Sequence, residues 1–206
     1  QLYVMRDRGF MRDLLARARN AGCDTLVLTL DLQIMGQRHR DRKNRLGSSR
    51  ITMAQWAQIV ARPLWASRML RTPRRDFGNL VGHIKGAEDI VSLASWTAEQ
   101  FDPSLDWKDV EAICREWNGK VVLKGILDAE DARCAVGSGA AAVVVSNHGG
   151  RQLDGARACI DALRDVAEAV ADGTEVYFDG GIRSGQDVLK ARAGGARMGF
   201  LGRAFA

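Results

Sequence analysis

The four cysteines, Cys23, Cys114, Cys134 and Cys159, are widely scattered and form neither a CxxC pair nor a metal-ligand cluster. That pattern argues against a disulfide scaffold or a zinc module and fits reduced thiols in a cytosolic setting. No apolar run approaches the ~20 residues a membrane-crossing helix requires. No secretory leader is visible, and the chain opens on QLYV rather than on Met. Histidine is scarce, with three in 206 residues, so each one can be weighed singly. The basic stretches carry no interleaved aromatic platform and no helix-turn-helix or finger pattern, which argues against nucleic acid as a partner.

What is present is apolar and unevenly charged. The chain is 46% hydrophobic and 27% charged with a net charge of +5, enough apolar material for a sizeable core. Between Arg38 and Arg75 the basic residues are Arg38, Arg40, Arg42, Lys43, Arg45, Arg50, Arg62, Arg68, Arg71, Arg74 and Arg75, against a single acid, Asp41. This segment reads either as a solvated, mobile insertion or as a surface for an anionic membrane.

Short apolar runs alternate with helical patterns. Strands are expected at Leu26–Leu30, Val121–Leu123, Ala142–Val145, Val176–Phe178 and Met198–Leu201, each nearly all apolar, as for a parallel strand covered on both faces. Phe10, Leu14 and Ala18 share one helical face before Gly22. Asp106, Asp128 and Ser184 are placed to cap helices carrying Val110, Ile113 and Trp117, then Ala129–Val136, then Val188, Leu189 and Ala191. A weak repeat of small residue, glycine and small residue (AGC at 21–23, SGA at 138–140, GGA at 194–196) falls where a helix must turn into a strand. The alternation implies βαβ units and a parallel sheet.

An open doubly wound sheet and a (β/α)8 barrel are the competing architectures. In the open sheet only the strands at the switch point supply ligands, whereas a barrel collects all its βα loops at one end. Here polar residues follow every strand: Thr29 and Asp31, Lys124, His148 and Arg151, Asp179 with Gly181 and Arg183, then Gly202 and Arg203. The expectation is therefore an α/β TIM (β/α)8 barrel. A complete one takes about 250 residues. This chain offers five strands and the end of another at QLYV, so a partial barrel lacking about two N-terminal strands is expected. Residues 1–206 read as a single domain, with 39–95 a long basic loop inserted after the strand ending near Asp31.

The polar ends carry chemistry. DGGIR (179–183) and LGR (201–203) put glycines and an arginine after consecutive strands. Glycine opens backbone N–H groups to a phosphate, and arginine adds a permanent bidentate contact, so this pair reads as a phosphate site rather than as two ordinary turns. Lys124 at the inner rim calls for an anion or an electron-rich group, or forms a Schiff base. By strand periodicity Gln1 and Tyr3 share a face, as do Thr29 and Asp31. His148 can act as a base near neutral pH, with Asp31 as the carboxylate for its imidazolium; for Asp31 a cap or turn role is the bland alternative. Arg151 follows three residues later. Together with Arg38 it suits a substrate carboxylate.

These residues, in order, resemble the FMN-dependent α-hydroxy acid dehydrogenases and oxidases: QLYV, LTLD with GQRHRDRKN, FDPSLDWKDV, LKGI, SNHGGRQLD, DGGIRSGQDVLKA and LGRAF. The resemblance implies a TIM barrel holding FMN. On this chain it implies that Gln1, Thr29 and Lys124 contact the flavin ring, and that Asp179, Gly181, Arg183, Gly202 and Arg203 hold the ribityl phosphate. It further implies His148 as the catalytic base with Asp31 its partner, Arg38 and Arg151 on the substrate carboxylate, and Tyr3 on the substrate. The substrate would be a small L-2-hydroxy acid of the lactate, glycolate or mandelate type, with no resident metal. The electron acceptor (oxygen, quinone or cytochrome) stays open. A homo-oligomer is expected, in the cytoplasm or peripheral on the inner face of the cell membrane through the basic loop. Another FMN barrel, of the isopentenyl-diphosphate-isomerase type, is the alternative enzyme, and a basic binding module the alternative of another class. Leu32-Gln33 stands where many relatives have threonine–proline, which alters the loop before Arg38.

Overall fold

The computed structural model describes residues 1–32, 36–44, 51–73, 78–80, 96, 99–100 and 102–205, except the Arg42 side chain. In chain order the elements are β1 (Leu2–Tyr3), α1 (Arg8–Asn20), β2 (Thr25–Thr29), α2 (His39–Lys43), α3 (Met53–Val60), α4 (Pro63–Arg71), α5 (Trp107–Trp117), β3 (Lys120–Ile126), α6 (Ala129–Gly137), β4 (Ala142–Val145), α7 (Cys159–Val170), β5 (Glu175–Asp179), α8 (Gly185–Ala193) and β6 (Met198–Phe200). They form two compact units: Gln1–Gln37 with Phe101–Ala206, and Arg38–Gln100.

The first unit is one parallel sheet of six strands in the order β1-β2-β3-β4-β5-β6. Sequential order is what a barrel wall requires; a doubly wound sheet reverses at its switch point. The expected partial (β/α)8 barrel is the fold. Among the described residues β1 and β6 each pair on one side only.

The two faces of the sheet differ. Leu26, Leu28, Val121, Leu123, Val143, Val145, Val176 and Phe178 join the helices in the main core. The opposite face holds a second, smaller apolar cluster of Val122, Ala142 and Val144 with Val27 and Tyr177 packed on it. Val27, Val122, Val144 and Tyr177 each have a polar residue two positions on: Thr29, Lys124, Ser146 and Asp179. Because side chains alternate along a strand, one face turns from apolar to polar at its C-terminal end. Register aligns the level, pairing Tyr3 with Thr29 and Thr29 with Lys124.

The helices follow their local signals. Asp106 accepts from the backbone of Lys108 and Asp109 to start α5, Asp128 starts α6, and Ser184 with Asp187 closes a capping box on α8. The apolar residues of two helices are covered unequally. Helix α1 buries Phe10, Met11 and Leu15, and Leu14 and Ala18 are partly buried against the main core, so its apolar stripe is wider than the Phe10–Leu14–Ala18 line. Helix α8 buries Ala191 and leaves Leu189 68% exposed.

In the second unit the described part of the expected insertion includes the helices α2, α3 and α4. Thr52 and Gln55 make a capping box for α3, and Pro63 occupies the first turn of α4. The expected tract at 39–95 includes 45–50, 74–77 and 81–95, which lie outside the described residues.

Candidate active site

Beyond β4 the chain enters a tight 3-10 turn, His148–Gly150. His148, Gly149 and Gly150 have φ of 57, 65 and 68 degrees, the left-handed region. Two glycines take this conformation readily and a histidine does not. Asn147 holds the turn: its carboxamide oxygen accepts from Gly150 N at 3.2 Å, and its backbone N–H donates to Cys159 Sγ at 3.1 Å. The result aims His148 back at the sheet. Its Nδ1 lies 3.0 Å from Asp31 Oδ1. A carboxylate only accepts, so Nδ1 carries the proton and Nε2 is left as the basic nitrogen.

Ser146, fully buried and outside the candidate residues that the sequence offers, joins three strand ends. Its Oγ accepts from Lys124 Nζ at 2.9 Å and from His148 N at 3.2 Å, and donates to Asp179 Oδ2 at 2.8 Å. One hydroxyl has a donor and two lone pairs, so all three are used. Lys124 Nζ also stands 3.4 Å from Asp179 Oδ2. The alternation Val144–Ser146 is the sequence signal that could have found it. On the far side, Gln1 Nε2 donates to Thr29 Oγ1 at 2.9 Å and to Tyr3 Oη at 3.3 Å.

A cavity of about 590 Å³ opens on these groups, lined among others by Gln1, Tyr3, Lys124, His148, Arg183 and Arg203. That size suits a small-molecule or cofactor site. Gly180 and Gly181 on its wall have φ of 126 and 80 degrees. Asp187 ties their loop down, accepting from Arg183 N at 3.1 Å and Ser184 N at 3.0 Å. The bond from Arg183 is the main reason its carboxyl lies below the usual range. Among the described residues, the backbone N–H groups of Gly181, Gly202 and Arg203 have no protein acceptor, and neither Arg183 nor Arg203 has an acidic partner. Open donors and two guanidinium groups at one end, with a lysine at the other, suit a phosphate-bearing ligand with an electron-rich ring.

Of the expected site residues, Gln1, Tyr3, Lys124, His148, Asp179, Gly181, Arg183, Gly202 and Arg203 line this one cavity. Thr29 and Asp31 stand directly behind lining residues through the bonds given above. Arg151 is exposed and outside the lining. Arg38 belongs to the second unit, where its guanidinium is 4.0 Å from Asp41.

The family described as FMN-dependent dehydrogenase matches residues 1–206. The chain belongs to this family. Its members depend on FMN, and the donor set around the cavity fits that cofactor. An L-lactate dehydrogenase of Caulobacter sp. (strain K31) is 47% identical over 209 residues, covering 100% of this chain and 54% of the relative. One from Acinetobacter baylyi is 46% identical over 210 residues, again 100% and 54%. Among solved structures, a monotopic membrane protein, (S)-mandelate dehydrogenase, is 34% identical over 99% of this chain and 54% of that one, with a TM-score of 0.89. A mandelate oxidase is 41% identical over 99% and 50%, with a TM-score of 0.72. The chain spans about half the length of the curated relatives it matches. These relatives are similar to it along nearly its whole sequence, which fixes the family and the fold together.

Proposed function

We propose that the protein oxidises a small L-2-hydroxy acid, of the lactate, glycolate or mandelate type, to the 2-oxo acid. One observation carries this reading: His148 is held on Asp31 at 3.0 Å on the wall of the cavity that Lys124 and both glycine–arginine loops also line. FMN, when bound, supplies the acceptor for the two electrons that leave the substrate. The chain's own groups do the rest. Nε2 of His148 takes a substrate proton, and Asp31 then faces a full imidazolium and stabilises it. Arg38 and Arg151 clamp the substrate carboxylate, Tyr3 hydrogen-bonds the substrate, and this orientation makes the transfer efficient. Lys124 keeps positive charge beside the flavin ring, which Gln1 and Thr29 also contact. Asp179, Gly181, Arg183, Gly202 and Arg203 hold the ribityl phosphate. Residues 1–206 serve as one FMN-binding domain, with 39–95 inserted in it.

The second part of the proposal concerns location. Helices α3 and α4 expose Trp56, Val60, Leu64, Trp65 and Leu70 beside Arg62, Arg68 and Arg71. Aromatic and aliphatic side chains next to arginines suit the interface of an anionic membrane. The (S)-mandelate dehydrogenase relative is a monotopic membrane protein. Among the described residues no helix is long and apolar enough to cross a membrane, so contact would be peripheral.

The test is anaerobic mixing of the full-length, FMN-loaded protein with L-lactate, glycolate, L-mandelate or a longer-chain L-2-hydroxy acid. Loss of the oxidised flavin band is expected with at least one. No bleaching with any of them overturns the reading.

A further inference from the structure

Strand β3 is irregular next to its lysine. Lys124 pairs with Val144 and Ile126 with Val145, so Gly125 is an extra residue bulged out of the ladder. Its φ is 108 degrees, which L side chains rarely adopt. The neighbouring strand end is fixed against it, since Leu30 N donates to Lys124 O at 2.9 Å. The next residue is Asp31. A Cβ on Gly125 would lie 2.8 Å from Asp31 Cβ, 2.9 Å from its Cγ and 3.1 Å from its backbone N. Two of those three atoms are the root of the carboxylate and the third is backbone, so no swing of a flexible side-chain end relieves the contact. The space Asp31 occupies is the side chain that Gly125 lacks.

We infer that Gly125 is a positioning residue for the base: its bulge and its missing side chain seat Asp31 where it can hold Nδ1 of His148. This rests on the function proposed above. The same bulge shifts the strand register just after Lys124. With a side chain at 125, Asp31 must retreat, and a 3.0 Å bond has little room before it is lost. The hydrogen bond that fixes the ring and the tautomer of His148 is then lost.

The experiment compares Gly125→Ala with Gly139→Ala in the full-length, FMN-loaded protein. Gly139 also has a left-handed φ, 80 degrees, but a Cβ there meets nothing within 4 Å, so it reports backbone strain without a clash. The direct readout is the downfield proton resonance of the His148 Nδ1–H bonded to Asp31, assigned by its loss in His148→Gln. Gly125→Ala is expected to lose that resonance and Gly139→Ala to keep it. kcat is expected to fall about 100-fold in Gly125→Ala, the size of loss an ångström of misplacement brings, with KM within about threefold. A Gly125→Ala protein that keeps both the resonance and a kcat within about threefold of the parent overturns the inference. If Gly125→Ala does not fold, Asp31→Gly/Gly125→Ala decides. Recovery of folded flavoprotein is expected, because the side-chain atoms met at Asp31 are gone, and failure to recover while Gly139→Ala folds overturns the inference. Should no hydroxy acid bleach the parent, the function fails, and the resonance still decides the role of Gly125.

Discussion

The strands of the parallel sheet and the helices α3 and α4 carry comparable apolar side chains and treat them in opposite ways. Leu28, Leu123, Val143, Val144 and Val145 are wholly buried, whereas α3 and α4 bury no residue at all. Both regions obey their local rules. The helices have a Thr52–Gln55 capping box and a proline at the first turn, as sound as the Ser184–Asp187 box on α8. Local signals are therefore enough to make an element, but burial depends on having neighbours on the apolar side. The sheet has helices on one face and its own second cluster on the other. The contrast also divides the labour: the sheet builds the cavity, and the helices α3 and α4 offer a surface.

Substitutions can break that contrast. The largest effect is expected at His148, where His148→Gln keeps FMN and thermal stability but lowers the rate of flavin reduction by roughly 10²–10⁴-fold, the usual worth of a general base. Stopped-flow reduction measures it. Unchanged reduction removes His148 from the base role. Next comes the sheet interior. Leu123→Ala removes a fully buried side chain from the main core and is expected to cost about 2–5 kcal/mol in denaturant unfolding. A cost below about 1 kcal/mol would mean the core relaxes around the hole.

Much of this was legible in the sequence, and the reasons differ by residue. The strands read clearly because a strand covered on both faces is a plain apolar run, as AVVV at 142–145 is. The glycine–arginine loops read clearly because each lies next to its strand. The Asp31–His148 contact joins residues 117 apart, and no local spacing encodes that distance; it was legible only because both residues follow strand ends that a barrel brings to one rim, a pairing the family resemblance also implies. The alternation of Ser146 with Val144 puts it on the cavity face, but a buried serine looks ordinary in sequence, because its three partners come from distant parts of the chain or from backbone. Helices α3 and α4 have readable caps, set in a tract whose most evident feature is its run of arginines. Arg151 is close to His148 in sequence, yet its side chain is exposed and outside the cavity lining, so nearness along the chain does not by itself give a place on the cavity wall. Gly125 stood in the LKGI motif, yet a bulge is a relation between strands and is invisible in one of them.

The smallest stability effect is expected on α3 and α4. Leu64 is 64% exposed and Trp65 51% exposed, so Leu64→Ser/Trp65→Ser removes little buried contact. The unfolding free energy should change by no more than about 0.5 kcal/mol per site, the usual range for surface positions. The same variant should behave differently on lipid. In co-sedimentation with vesicles containing phosphatidylserine, the parent is expected in the pellet at low salt. The Leu64→Ser/Trp65→Ser variant should bind more weakly, because apolar burial and charge both contribute to interfacial binding. Arg68→Glu/Arg71→Glu should weaken it further and remove most of its salt dependence. If instead the serine variant unfolds like Leu123→Ala, these side chains belong to a packed interface and the division between cavity and surface is wrong. A stable variant that no longer binds vesicles supports the division, because then apolar residues that contribute almost nothing to folding are the ones the membrane uses.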